Sequence, residues 1–99
     1  MQTGYLTIAR ISGHPADLLD GYRRSSAVMD AVGRDHGLVL HAGAATQDGL
    51  LIVNLWPSPD GSRAAAADPR RKATLRHYAV TGEQQHKEHH ELERYVLFA

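Results

Sequence analysis

Asn54 and Trp56 lie two residues apart in the run Leu50-Leu51-Ile52-Val53-Asn54-Leu55-Trp56 and carry its only side-chain N–H groups. In a strand alternate residues share a face, so Leu50, Ile52, Asn54 and Trp56 look one way and Leu51, Val53 and Leu55 the other. An amide and an indole N–H are neutral donors. In a water-poor pocket such donors suit a developing oxyanion, because fixed dipoles act more strongly there than in bulk water. The simpler alternative is that Asn54 satisfies a neighbouring loop and Trp56 is core. His41, also on a sheet face, is placed for a pocket, where it is a candidate general base near neutral pH or equally a satisfied core histidine.

Seven histidines in 99 residues are unusual, and His86, His89 and His90 invite a metal reading. His86 and His90 would stand one turn apart on a helix or share a face on a strand, and either arrangement could chelate an ion. No close acid-histidine motif fixes a third ligand. Glu83 to Glu91 is so polar that a solvated segment without metal is the expectation.

These residues need elements to position them. Tyr5 to Ile11, with Leu6 and Ile8 opposite Tyr5, Thr7, Ala9 and Ile11, reads as the first strand. Pro15 is placed for a first helical turn, and Asp17 lies near the positive end of the dipole. The helix runs to about Asp35, with Leu18, Leu19, Tyr22, Ser25, Ser26, Met29 and Val32 as one stripe and Gly37 as its C-terminal cap. Leu38 to Ala45 is a second strand, weakened by Gly43, that turns through Thr46-Gln47-Asp48-Gly49 into the apolar run. Its alternation sets Val39, His41 and Gly43 together. Gly61 to Ala67 is a short helical stretch, Pro69 starts another reaching about Val80 and ended by Thr81-Gly82, and Leu92 to Phe98 is the last strand. The order strand, helix, strand, strand, helix, strand is that of a ferredoxin-like α+β domain with an antiparallel four-stranded sheet and helices on one face.

The bulk properties limit the function. Residues 1–99 make one small domain that buries around two-thirds of its unfolded surface. A run apolar on both faces then calls for a second sheet, most simply from an identical subunit in a two-fold dimer. Lys plus Arg and Asp plus Glu stand at 11 each, so no net field favours nucleic acid or an anionic membrane. Cysteine is absent, which removes disulfide and thiolate chemistry. With no apolar run of signal-peptide or membrane-span length, a soluble cytoplasmic protein is expected. The partners expected are a small molecule and a second copy of the chain.

With the elements in order, the chain resembles the dimeric α+β barrel superfamily and, within it, the antibiotic-biosynthesis-monooxygenase family, whose polyketide-tailoring members use neither metal nor flavin. The likeness is carried by Ile52-Val53-Asn54, Trp56 with Ser58, Ala67-Asp68-Pro69-Arg70 and Leu75-Arg76, and the element order extends it over nearly the whole chain. It implies a pocket between sheet and helices lined by an Asn, a Trp, a Tyr and an Arg. Asn54, Trp56 and Arg76 match three of these, with Arg76 favouring an ionised phenol. The tyrosine position falls near Ser62, a departure from the family pattern, and Tyr22 and Tyr78 are the tyrosines that can enter the same space from the helices. Leu18, Tyr22 and Met29 would roof the pocket over Ile52. Haem-degrading enzymes share the superfamily and His77 raises that chemistry, but Ala64 to Ala67 stands where they carry a second tryptophan and the first strand has no asparagine. The expected function is a cofactor-independent monooxygenase-like tailoring enzyme for an aromatic polyketide-like molecule. The alternative is a non-catalytic dimeric protein that binds a small apolar ligand.

Overall fold

The computed structural model describes residues 2–78 and 84–98. Its elements are β1 (Gln2–Ser12), α1 (Pro15–Asp35), β2 (Leu40–Thr46), β3 (Gly49–Trp56), α2 (Pro59–Ala67), α3 (Pro69–Tyr78) and β4 (Gln84–Tyr95). All pairings are antiparallel, in the order β2-β3-β1-β4, which is the ferredoxin-like arrangement. Among the described residues no helix is long and apolar enough to cross a membrane.

Local chemistry sets the turns. Gly37 adopts φ +86°, and the Leu38 N–H donates to the Gly33 carbonyl at 2.8 Å, a Schellman closure that only a residue free of a Cβ penalty makes cheaply. Because Leu38 belongs to this closure, β2 begins two residues later than expected. Thr46 pairs with Gly49, so Gln47-Asp48 is a two-residue hairpin loop. Asp68 separates α2 from α3: its carboxylate accepts from the Arg70 backbone N–H at 2.9 Å with Pro69 at the first helical position, while its own backbone N–H closes α2 on the Ala65 carbonyl. The end of α3 expected at Val80 and Thr81-Gly82 lies outside the described residues.

The last strand corrects the expectation. It is Gln84–Tyr95, the segment read as solvated, whereas Val96, Leu97 and Phe98 follow it outside any strand and are exposed. β4 is an edge strand, held by its backbone ladder to β1 from Gln2↔Tyr95 to Ser12↔Gln84, and both its side-chain faces reach solvent. Apolar residues are not required for that pairing, so composition misplaces it.

Buried residues fall in two clusters under the helices. Ile11, Leu18 and Leu50 pack at the hairpin end of the sheet, and Val32, Trp56 and Ala65 at the other. Leu18 is therefore core rather than pocket roof. It sits in the first turn of α1, one turn before Tyr22, and spends its side chain on Ile11 and Leu50. On the opposite face of the sheet the register aligns Ala42, Val53, Ile8 and Glu88 across the four strands, with Leu40, Leu55, Leu6 and His90 in a neighbouring row.

Candidate active site

Strand register assembles the site. His41 pairs with Asn54, Asn54 with Thr7 and Thr7 with His89, so these four residues form one row across the helix-facing side of the sheet. The adjacent row is Gly43, Ile52, Ala9 and Lys87. Above these rows, beneath α1 and α3, lies a cavity of about 280 Å³. Its apolar wall includes Ile52, Met29, Leu75 and Trp56, and its polar groups include Tyr22, His41, Asn54 and Arg71.

Three of the polar side chains are hydrogen-bonded in line. His41 Nδ1 lies 2.6 Å from Asn54 Oδ1, and His41 Nε2 lies 2.5 Å from the Tyr22 hydroxyl. An amide oxygen only accepts, so Nδ1 carries the ring proton and donates it to Asn54. Nε2 then presents a lone pair, to which the Tyr22 O–H donates. The rings of Tyr22 and His41 are also stacked, with centroids 5.7 Å apart and planes 25° from parallel. Gly43 makes this possible, because a Cβ there would overlap the hydroxyl end of Tyr22. Burial, and secondarily the charge of Asp30, push the Tyr22 pKa up, so the phenol stays neutral unless His41 takes its proton as it reacts.

Trp56 is both core and cavity wall. It is 4% exposed, packs with Val32 and Ala65, and its indole N–H is buried with no acceptor among the described residues. A buried donor left unpaired costs about 1–3 kcal/mol, a deficit that a ligand oxygen would relieve.

The expected arginine is corrected. Arg76 is exposed on α3 and takes no part in the cavity, whereas Arg71 lines it. Arg71 and Leu75 are four residues apart and share a helix face, while Arg76, one residue on, is turned away by about 100°. The apolar Leu75 marked the inward face, and counting back one turn would have found Arg71. Burial lowers the pKa of its guanidinium, which has no ion-pair or hydrogen-bond partner among the described residues.

Of the other expected residues, Tyr22, Met29 and Ile52 line the cavity, as does Ser62. The Tyr78 side chain lies outside the described residues. Strand alternation divides the C-terminal histidines. His89 faces the cavity with its ring 5.7 Å from that of Tyr5, while His86 and His90 stand on the opposite face, 3.9 and 3.4 Å from Glu88. Among the described residues no group of three or more His, Cys, Asp or Glu is arranged to hold a metal ion. Gln85, Lys87 and His89 of β4 were missed as cavity residues because their strand was misplaced.

No protein-family model and no curated protein matches the sequence. Similarity appears at the level of structure. The monooxygenase from the gene ActVA-Orf6 of Streptomyces coelicolor, solved in complex with the ligand nanaomycin D, is 16% identical with a TM-score of 0.71, covering 98% of this chain and 94% of that chain. SnoaB, a cofactor-independent oxygenase from Streptomyces nogalater, is 20% identical with a TM-score of 0.58, covering 96% and 94%. A dimeric ferredoxin-like protein of unknown function from Thermobifida fusca is 19% identical with a TM-score of 0.68, covering 93% of each chain. At these identities the likeness establishes the fold: this chain is a ferredoxin-like α+β domain, the fold it shares with these proteins.

Proposed function

We propose that this protein is a cofactor-independent monooxygenase-like tailoring enzyme that acts, as a cytoplasmic homodimer, on an aromatic polyketide-like molecule bound between sheet and helices. The observation that carries the reading is the Tyr22–His41–Asn54 hydrogen-bonded line at the wall of a largely apolar cavity. Supporting it is the fold shared with SnoaB and the ActVA-Orf6 monooxygenase, whose bound nanaomycin D suggests a flat aromatic occupant for this cavity too.

The chemistry needs a substrate that can itself reduce oxygen. For an anthrone-type methylene flanked by rings, the Tyr22 oxygen takes a substrate proton as His41 Nε2 takes the proton of Tyr22, and Asn54 Oδ1 holds the other ring N–H and steadies the imidazolium. The delocalised carbanion combines with dioxygen to give a peroxide, and loss of water leaves a carbonyl. One oxygen atom enters the product and the other leaves as water, so no outside reductant is consumed. The unpaired Trp56 N–H is the donor available to negative charge on the ring oxygen.

A binding role without turnover is the second reading, favoured by the fact that both ring nitrogens of His41 already have partners within the protein. Oxygen uptake separates the two. Protein treated with a chelator and supplied with dithranol, an anthrone, should consume oxygen well above the buffer rate, and Tyr22→Phe should abolish the excess. Uptake no faster than buffer, with dithranol still bound, would favour the binding protein.

A further inference from the structure

The β4 residues on the helix-free face of the sheet have no place in the chemistry just described. Strand alternation sets His86, Glu88 and His90 in a row there, opposite Arg10, Ile8 and Leu6 of β1. One carboxylate serves three basic side chains: Glu88 lies 3.6 Å from Arg10 Nε, 3.4 Å from His90 Nε2 and 3.9 Å from His86 Nε2. With the imidazoles neutral, Arg10 and Glu88 balance. With both protonated, three cations face one anion. The bond from His90, ahead of the charge of Arg10, holds the Glu88 carboxyl below its usual range, so Glu88 stays ionised while imidazoles titrate. The other charged group near the row is Asp48, which borders a recess at the hairpin end together with Arg10 and His86. Leu51, Val53 and Leu55 of β3 and Leu40, Ala42 and Ala44 of β2 complete this face without charge, and the helices pack on the other side.

We propose that the homodimer is pH-sensitive: protonation of His86 and His90 below neutral pH loads this face with positive charge and separates the two copies. This rests on the homodimer reading and names what regulates the assembly. In a two-fold contact the same patch is used by both copies, so the row faces either its own symmetry mate or the uncharged rows of the second sheet. The first arrangement sets imidazolium against imidazolium, and the second takes it out of water without a new counter-charge; both disfavour the closed dimer. Protons then bind the separated copies more readily. The dimer is therefore held above the ordinary imidazole range, about pH 6.5, and weakens as the pH falls through it.

Sedimentation equilibrium on the full chain tests this, with circular dichroism at each pH to follow the fold. From about pH 8 to about pH 5.5 the dissociation constant should rise at least about tenfold, and added salt at the lower pH should reverse part of the rise by screening. In the double variant His86→Gln, His90→Gln the rise should disappear, although His14, His36, His41, His77 and His89 still titrate. A smaller rise in the parent, unfolding in place of dissociation, or an equal rise in a dimeric double variant would overturn the inference. A parent that is already monomeric at the higher pH would overturn the homodimer reading along with it. Should the double variant fail to dimerise, the parent's salt response decides the matter: dissociation that salt does not relieve would overturn the inference.

Discussion

At the scale of single residues, the account turns on how Tyr22, His41 and Asn54 come into line. Gly43 is the least conspicuous contributor. In the sequence it only weakens a strand; in the structure its missing Cβ is the space that the Tyr22 hydroxyl end occupies above β2. Gly43→Ala should therefore displace Tyr22 from His41 and lower turnover at least about tenfold. The melting temperature should change little, because removing a strand glycine limits the unfolded chain and offsets part of the local crowding. Turnover assays and thermal melts on this variant check both halves, and parental turnover would show that the Tyr22 contact is dispensable. Asn54, Trp56, Ile52, His41 and Tyr22 were legible beforehand because strand alternation and helical spacing fix which way a side chain points. Arg71 was not, because Leu75-Arg76 matched a family pattern by position while helix geometry turned Arg76 to solvent. Trp56 shows why two readings can both hold: one face of an indole can be core while its N–H remains unpaired.

At the scale of elements, the positions of the helices depend on one junction. The Asp68 carboxylate accepts from His36 Nε2 at 3.0 Å and from Arg70 Nη2 at 2.9 Å, and Arg70 also reaches Asp35 at 3.0 Å. The end of α1 is thereby tied to the α2–α3 corner, and Arg71 follows directly in the chain. The Arg70 bonds, then that from His36, hold the Asp68 carboxyl well below the usual carboxylate range. A group whose folded pKa is depressed contributes stability above its unfolded pKa, near 3.9, and loses that contribution as pH falls below it. Asp68→Asn should thus melt lower than the parent at neutral pH, and the gap should narrow as the pH falls below about 4. Melting curves across that range provide the check; a constant gap would mean that the ionised carboxylate is not what stabilises the corner. The Asp-Pro-Arg motif was legible as a helix restart but its link to α1 was not, since the contact from His36 to Asp68 spans 32 residues. β4 was misread for the reason that also hid Lys87 and His89: an edge strand is defined by backbone pairing, which a polar sequence does not advertise.

At the scale of the whole molecule, the face of the sheet opposite the helices carries Leu6, Ile8, Leu51, Val53 and Leu40, with Leu40 42% exposed. The proposed homodimer covers this face with the same face of a second copy, as the apolar character of both sides of β3 led one to expect. Val53→Glu puts a charge at its centre, where an unpaired buried carboxylate costs several kcal/mol. Light scattering should give a dimer for the parent and a monomer or an unfolded chain for the variant. A parent that is a stable monomer at micromolar concentration would remove the assembly from the account. A second sheet is expected from apolar periodicity alone, whereas Glu88, His86 and His90 on the same face, and the pairing of Glu88 with Arg10, depended on the misplaced fourth strand.

The central claim is that the line of residues ending at Asn54 performs chemistry rather than merely holding the sheet together. Oxygen uptake by the chelator-treated protein with dithranol, compared between the parent and Asn54→Ala, tests it most directly. The account predicts turnover about ten- to a thousandfold lower in the variant, the range for losing one oriented polar partner of the reaction, with a melting temperature close to the parent's. A variant that turns over like the parent, or that is destabilised by the roughly 1 kcal/mol of a lost hydrogen bond while keeping its activity, would contradict it.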